Sequence, residues 1–218
     1  MGTITRSLAN NITTSGVILP AGITNSSVSA VTSFANASGG TLTLLSTQTA
    51  SASATISFTT GLDSTYDEYI FKFINVRPAT DDVFFQFNMS TDAGSNYNVT
   101  KTSAFFRTFH EESDAQASLD YSTSLDLAQS TGFQTISSGV GNVSDEHASG
   151  TLTLFSPSST TYVKHFISSS EKTSGGFSAN DFCGGYGNTT SAVNAIQFKF
   201  SSGNIADGII KLYGVKKS

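Results

Sequence analysis

The sequence contains one cysteine, three prolines and no tryptophan in 218 residues, and only 12% of its residues are charged. The single thiol, that of Cys183, cannot form an internal disulfide, so we expect no covalent cross-link within the chain. The longest apolar candidates, Val17 to Leu19 and Ile70 to Ile74, have the length of strands and fall far short of the ~20 residues of a membrane-spanning helix. The sequence therefore predicts neither a disulfide scaffold nor membrane insertion.

The charged residues are few and mildly acidic in balance. Sixteen acidic and eleven basic residues give a formal charge of −5 and an isoelectric point near 5.0. The basic residues are scattered, apart from the pair Lys216-Lys217, whereas phosphate binding requires clustered lysine and arginine. We therefore expect no nucleic-acid partner. Serine and threonine together supply 65 residues, which predicts an uncharged polar surface.

From residue 41 onward the sequence has the alternation of β-strands. The segment from Tyr66 to Val76 alternates aromatic with polar residues, and Val83 to Thr91 places Phe85, Phe87 and Met89 on one face. About nine or ten such segments with intervening turns, and no long helix, predict an all-β fold. We expect an antiparallel two-sheet sandwich of jelly-roll type over residues 41–218, with a phenylalanine core and a hairpin at Pro78.

Residues 1–40 differ from the rest of the chain. They contain no acidic residue and one aromatic residue, Phe34, and their apolar positions keep no steady period of two. We interpret residues 1–40 as an extended N-terminal anchoring arm, which buries its apolar residues against another chain or folds back on its own domain. The docking residues that we predict in this arm are Ile4, Leu8, Ile12, Val17, Ile18 and Leu19.

The titratable residues form no recognisable catalytic motif. Side chains of the types that bind metal ions follow closely on one another at His110, Glu111, Glu112 and Asp114. Such a run at a strand end is, however, more typical of a solvated loop. The same reasoning applies to the turn Asp145-Glu146-His147. We therefore expect no catalytic residue, no metal and no cofactor.

The remaining candidates have plain structural interpretations. The alternation around His165 predicts an exposed or interfacial strand residue, and Cys183 has no neighbouring cation, which indicates a small buried residue. Asp92-Ala-Gly-Ser-Asn-Tyr lacks the ligand spacing of a calcium loop and predicts a hairpin turn. The run Gly184-Gly-Tyr-Gly187 does not precede a helix, so we expect no phosphate cradle.

Two tyrosines in loop or turn contexts have two open interpretations. Tyr97 and Tyr186 are residues of the kind that stack on sugar rings, a use that sandwich domains often have. We favour packing of both tyrosines against their own turns, and a glycan contact is the alternative interpretation.

Several segments resemble a family of tailed-bacteriophage virion proteins, common in phages of marine bacteria, of the fibre and head-decoration type. The resemblance rests on the opening Met1-Gly-Thr-Ile-Thr-Arg, the strand Tyr66-Asp-Glu-Tyr with its Pro78 turn, Ser90-Thr-Asp-Ala-Gly-Ser-Asn-Tyr and the closing Leu212-Tyr-Gly. It implies a non-enzymatic capsid or tail component, frequently trimeric, with an N-terminal anchor and an outward β domain. It transfers no catalytic residues.

Together these observations predict a virion structural protein on the particle surface, as capsid decoration, head fibre or tail fibre component. The arm docks on other virion proteins of capsid or tail, and the sandwich projects outward as a homotrimer. Arg6 is not followed by the apolar stretch of a signal peptide, so we expect assembly in the host cytoplasm. The alternative is a tail-fibre tip module for host attachment, which binds a receptor or host surface glycan through Tyr97 and Tyr186.

Overall fold

A computed structural model of the chain describes residues 41–216, and the backbone alone of Ile12–Thr13 and Gly16–Val17. The contacts divide the chain into two units, residues 1–39 and 40–218. In the first unit, β1 (Ile12–Thr13) pairs antiparallel with β2 (Gly16–Val17).

The second unit consists of strands and their connections. Its twelve strands are β3 (Leu42–Ser53), β4 (Ile56–Phe58), β5 (Glu68–Pro78), β6 (Val83–Ser90), β7 (Lys101–Glu111), β8 (Ala117–Tyr121), β9 (Gln134–Val140), β10 (Ala148–Phe155), β11 (Lys164–Ser174), β12 (Phe177–Gly187), β13 (Ala195–Phe200) and β14 (Ile205–Val215). Among the described residues there is no helix, and hence none that is able to cross a membrane.

The twelve strands form two antiparallel sheets. The large sheet has eight strands in the order β3-β14-β5-β10-β11-β12-β7-β8, and the small sheet has four in the order β4-β13-β6-β9. The predicted all-β, antiparallel two-sheet sandwich is therefore confirmed. The unequal division of strands does not establish the jelly-roll type, which stays a prediction.

One half of the interior is built from phenylalanine. Strands β5 and β6 alternate, so that Phe73 and Phe85 point inward from opposite sheets, with ring centroids 5.3 Å apart. Phe198 of β13 stacks on Phe85 at 5.8 Å, and all three side chains are almost completely buried. This half matches the expected phenylalanine core.

The other half of the interior, next to β9, mixes polar with apolar side chains. All seven residues of β9 are buried, although they include serine, threonine and glutamine. The backbone N–H of Ser138 donates to the Asp181 carboxylate at 2.5 Å, and the Ser170 hydroxyl donates to the Ile136 carbonyl at 2.8 Å. Buried polar groups require such partners, so β9 is held against β11 and β12 by hydrogen bonds as well as by packing.

The predicted hairpin at Pro78 is wrong, although the turn is there. Strand β5 ends at Pro78 and β6 begins at Val83, but the two strands belong to different sheets. The connection crosses between layers because the phenylalanines of both strands must meet in the interior. The number of strands, nine or ten by prediction, is also too low, since the body has twelve, and β9 in particular is not among the predicted segments.

The turn between β11 and β12 makes the longest uninterrupted hairpin of the fold. Lys164 pairs with Gly187 and the register continues without a shift to Ser174 and Phe177. The two connecting residues, Gly175 and Gly176, have φ values of 57° and 79°, the left-handed conformation that tight hairpin turns require. This hairpin carries the polar residues of both surfaces described below.

Candidate binding surface

A row of three side chains crosses the outer face of the large sheet. His165 of β11 pairs directly with Tyr186 of β12, which pairs with Thr102 of β7. Their chain neighbour Phe166 points into the core, so the alternation of the strands turns this row outward. The His165 and Tyr186 rings lie 6.3 Å apart, and His165 is exposed as predicted.

The amide of Gln129 lies against this row and is fixed on both sides. Its Nε2 donates to the Thr102 hydroxyl at 2.7 Å and to the Tyr186 hydroxyl at 3.4 Å. Its Oε1 accepts a hydrogen bond from Nδ2 of Asn188 at 2.8 Å. Gln129 has a φ of 49°, and its backbone N–H also donates to Thr102. We name Thr102, Gln129, His165, Tyr186 and Asn188 the Tyr186 surface.

The Tyr186 surface combines an aromatic ring with planar amides. The face of an aromatic side chain packs against apolar surface, and amides supply both donors and acceptors to hydroxyl groups. A sugar ring offers an apolar face edged by hydroxyls, so the chemistry of this surface suits a neutral sugar. Three strands and two connections position it.

Tyr97 lies in a different environment. Its hydroxyl is 2.7 Å from the place that a Cβ atom on Gly94 would occupy, so the ring packs over the Gly94 turn. Within residues 41–216 no hydrogen bond or ring contact joins Tyr97 to Tyr186. The two tyrosines that sequence analysis grouped together therefore do not form one site.

The turn that precedes Tyr97 is organised by Asp92. Its Oδ1 accepts hydrogen bonds from the Ser90 hydroxyl at 2.6 Å and the Asn96 backbone N–H at 2.9 Å, and Oδ2 accepts from Asn96 Nδ2 at 2.7 Å. These bonds lower the pKa of Asp92 to about 2. The predicted turn is there, since both carboxylate oxygens bind the turn itself, but the predicted hairpin is wrong, because β6 and β7 belong to different sheets.

The histidines and acidic residues outside this surface do not converge. His110 Nε2 lies 2.9 Å from Asp114 Oδ1, and both side chains are largely exposed. Glu146 accepts a hydrogen bond from the Gly175 backbone N–H at 2.6 Å. In the described part of the chain, no group of three histidine, cysteine, aspartate or glutamate residues is arranged to hold a metal ion.

Cys183 is a core residue, as predicted. Its side chain is 3% exposed, and burial raises the pKa of the thiol to about 12. A thiol in this state is neither a nucleophile nor a metal ligand at neutral pH.

The predicted docking arm lies mostly outside the described residues. Ile4, Leu8, Ile18 and Leu19 fall there. Ile12 and Val17 face each other as partners in the β1–β2 pair, for which the backbone alone is described.

Sequence reasoning missed Thr102, Gln129 and Asn188. The sequence could have indicated Thr102, because the residue lies three positions before the inward-pointing Phe105 of β7 and therefore points outward. Gln129 and Asn188 lie in connections, where no period indicates which way a side chain points.

Comparison of the chain with models of protein families, with curated proteins and with solved structures found no match.

Proposed function

We propose that this chain is a non-enzymatic structural protein of a bacteriophage particle, as capsid decoration, head fibre or tail fibre component. Residues 1–40 dock on capsid or tail proteins, and the sandwich projects outward. Assembly takes place in the host cytoplasm. The proposal extends the resemblance described above.

The supporting observation is the place at which the body begins. Strand β3 starts at Leu42, immediately after the proposed arm, and pairs with β14 from Val215 to Ile205. The first strand of the body after the proposed arm is therefore fixed to the large sheet by backbone hydrogen bonds along nearly its whole length. Such an attachment suits a domain held by its N-terminal end on a particle surface.

The arm is tested in particles rather than in isolation. Deletion of residues 1–35 is expected to abolish incorporation of the protein into particles, measured by quantitative mass spectrometry of purified virions. In the full chain, Leu8→Ser with Ile12→Ser should lower incorporation, because apolar burial supplies the affinity. Val143→Ser is the matched control, since it removes an exposed apolar side chain of the body that lies outside the outer face of the large sheet. Normal incorporation of the arm variants would contradict the anchoring role.

We propose that the protein assembles as a homotrimer. The solvent-facing side of an antiparallel sheet is usually polar, whereas the outer face of the large sheet exposes seven large apolar side chains. They are Leu42, Leu44, Ile74, Phe106, Leu119, Tyr121 and Ile167. Sedimentation analysis of the full chain should give three times the chain mass, and a monomer at micromolar concentration would refute this state.

The Tyr186 surface favours a second candidate function, recognition of host surface glycans at a tail-fibre tip. The observation that supports it is the Gln129 amide, which side chains from β7 and from the segment after β12 hold beside the Tyr186 ring. On a glycan array, the full chain should bind neutral sugars, and Tyr186→Ala or Gln129→Ala should remove the signal. Tyr97→Ala is the control, because that ring packs over its own turn. Absence of binding leaves the structural role alone.

A further inference from the structure

A cleft opens on the inner side of the large sheet, which is opposite to the outer face that carries the Tyr186 surface. It has a volume of about 260 Å³ and is lined by side chains of β7, β11 and β12 together with Gly139 of β9 and Asp82. Its principal lining residues are Asp82, Arg107, Phe109, Gly139, Lys172 and Phe177. The volume lies at the lower end of small-molecule sites, so it suits a ligand with a single ring.

Arg107 is the unusual member of this lining. Its guanidinium carbon lies 5.8 Å from the centroid of the Phe109 ring, and it donates no hydrogen bond to any residue among 41–216. Arg77, by comparison, binds the Asp207 carboxylate and the Asn142 carbonyl. A guanidinium carries five donors in a planar fork that matches a carboxylate. Arg107 pairs with Asp181 in the β7–β12 register and interacts with the charge of its carboxylate, but it makes no hydrogen bond to it. The donors of the half-buried fork are therefore available to a ligand.

Lys172 and Asp82 define one end of the cleft. Lys172 Nζ donates to the Gly139 carbonyl at 2.6 Å. A Cβ atom on Gly139 would lie 2.7 Å from Asp82 Oδ1 and 3.0 Å from Lys172 Nζ, so the glycine keeps this end open. Asp181, beneath the cleft, has its carboxylate bonded to Ser138. Burial lowers the pKa of Lys172, whereas an arginine stays protonated. We therefore assign the positive charge that would bind an acidic ligand to Arg107.

Two aromatic rings supply an apolar wall. Phe109 and Phe177 meet edge to face, with centroids 5.8 Å apart and an interplanar angle of 77°. Because the Arg107 guanidinium lies beside the Phe109 ring, a carboxylate on this fork would place its attached ring against the same wall.

We propose that this cleft binds a small cyclic carboxylate, with the acid group on Arg107 and the ring against Phe109 and Phe177. Two sources share this chemistry, an acidic sugar of a host polysaccharide and a free cyclic acid. The inference is independent of the proposed virion role.

The test measures binding to the full chain by titration calorimetry, with D-glucuronate, benzoate and D-glucose as probes. Arg107→Gln should weaken binding of the acid at least about tenfold, since a charged hydrogen-bond partner is lost. The matched control is Lys72→Gln, which removes the same charge from a cation that lies 5.7 Å from the Tyr213 ring on the outer face. Asp82→Asn should tighten binding because it removes the opposing charge, and misfolding cannot cause that gain.

Each outcome decides the proposal. Saturable binding of glucuronate or benzoate that follows this pattern supports it, and the tighter of the two probes identifies the acidic sugar or the free acid as the source. Equal binding of glucose and glucuronate overturns it. Equal losses in Arg107→Gln and Lys72→Gln, or no saturation by either acid up to ~10 mM, also overturn it.

Discussion

The side-chain amine of Lys101 donates a hydrogen bond of 2.8 Å to the backbone carbonyl of Val99, inside the body and out of contact with solvent. It also donates to Oδ1 of Asn88, whose Nδ2 donates to the carbonyls of Tyr97 and Thr131. Lys101 and Asn88 thus tie two connections to the core. Burial lowers the pKa of Lys101 to about 7.

The buried Lys101 makes stability depend on pH. A lysine whose pKa is about 7 in the folded chain and ~10.4 in the unfolded chain binds its proton more weakly when folded. The free energy of unfolding should therefore rise as pH increases, by ~2 kcal/mol between pH 7 and 9 from this group alone. Urea unfolding at several pH values measures the rise. Above pH 9 the raised pKa of the Cys183 thiol acts in the opposite direction.

The control for this pH dependence is Lys101→Met. The methionine has a similar length and no charge, so the rise between pH 7 and 9 should flatten even if the variant is less stable overall. The same slope in both proteins would show that Lys101 is not its source.

Two adjacent glycines of β12 should respond oppositely to substitution. A Cβ atom on Gly185 would lie 2.4 Å from the Thr102 carbonyl oxygen, whereas one on Gly184 would meet nothing closer than 3.9 Å. Gly185→Ala should lower the free energy of unfolding by ~1–3 kcal/mol because the strands must separate. Gly184→Ala should be neutral or slightly stabilising, since alanine restricts the unfolded chain. Similar unfolding midpoints for both variants would contradict the close strand packing.

The phenylalanine half of the core should carry much of the stability. Phe198 is fully buried and its ring lies 5.4 Å from that of Phe71 and 5.8 Å from that of Phe85. Phe198→Ala should cost ~3–5 kcal/mol through loss of burial and creation of a cavity. Tyr162→Ala is the control, because Tyr162 is 68% exposed and lies outside the face proposed for trimer contacts. Its expected cost is below ~0.5 kcal/mol. Equal costs in chemical denaturation would place the core elsewhere.

Cys183 should report on opening of the body. A thiol that is 3% exposed and has a pKa of about 12 should not react with a soluble disulfide reagent at neutral pH in the folded protein. In urea the same thiol should react within the mixing time. Rapid modification of the folded chain would contradict the burial of β12 against the small sheet.

The phenylalanine half of the fold follows from local pattern. In β5 and β6, aromatic residues occupy every second position, so a period of two reveals both the strand and its buried face. The position of the Pro78 turn follows in the same way. The assignment of β5 and β6 to different sheets does not, because strand pairing depends on residues far apart in the chain.

The polar half could not be predicted in the same way. Strand β9 contains Ser137, Ser138 and Gly139, and its burial depends on partners such as Asp181 and Lys172 from distant strands. The local sequence pattern predicts that such a polar segment is exposed to solvent. The cleft lined by Arg107 has the same character, since its lining comes from four strands that are far apart in the chain, β7, β9, β11 and β12.

The Tyr186 surface was half visible in the sequence. An aromatic residue in a glycine-rich strand indicates a possible contact, but Gln129 reaches it from 57 residues away. Residue type alone does not identify a contact residue, because Tyr97 is also a tyrosine but packs against the Gly94 turn.

The chain enters and leaves the body at one point. Leu42 pairs with Val215, and the Lys216 backbone N–H donates to the Thr41 carbonyl at 2.9 Å. A short linker between these ends would close the body into a ring without disturbing any strand. The body is thus suited to circular permutation, with new ends placed in the exposed Gly175-Gly176 turn.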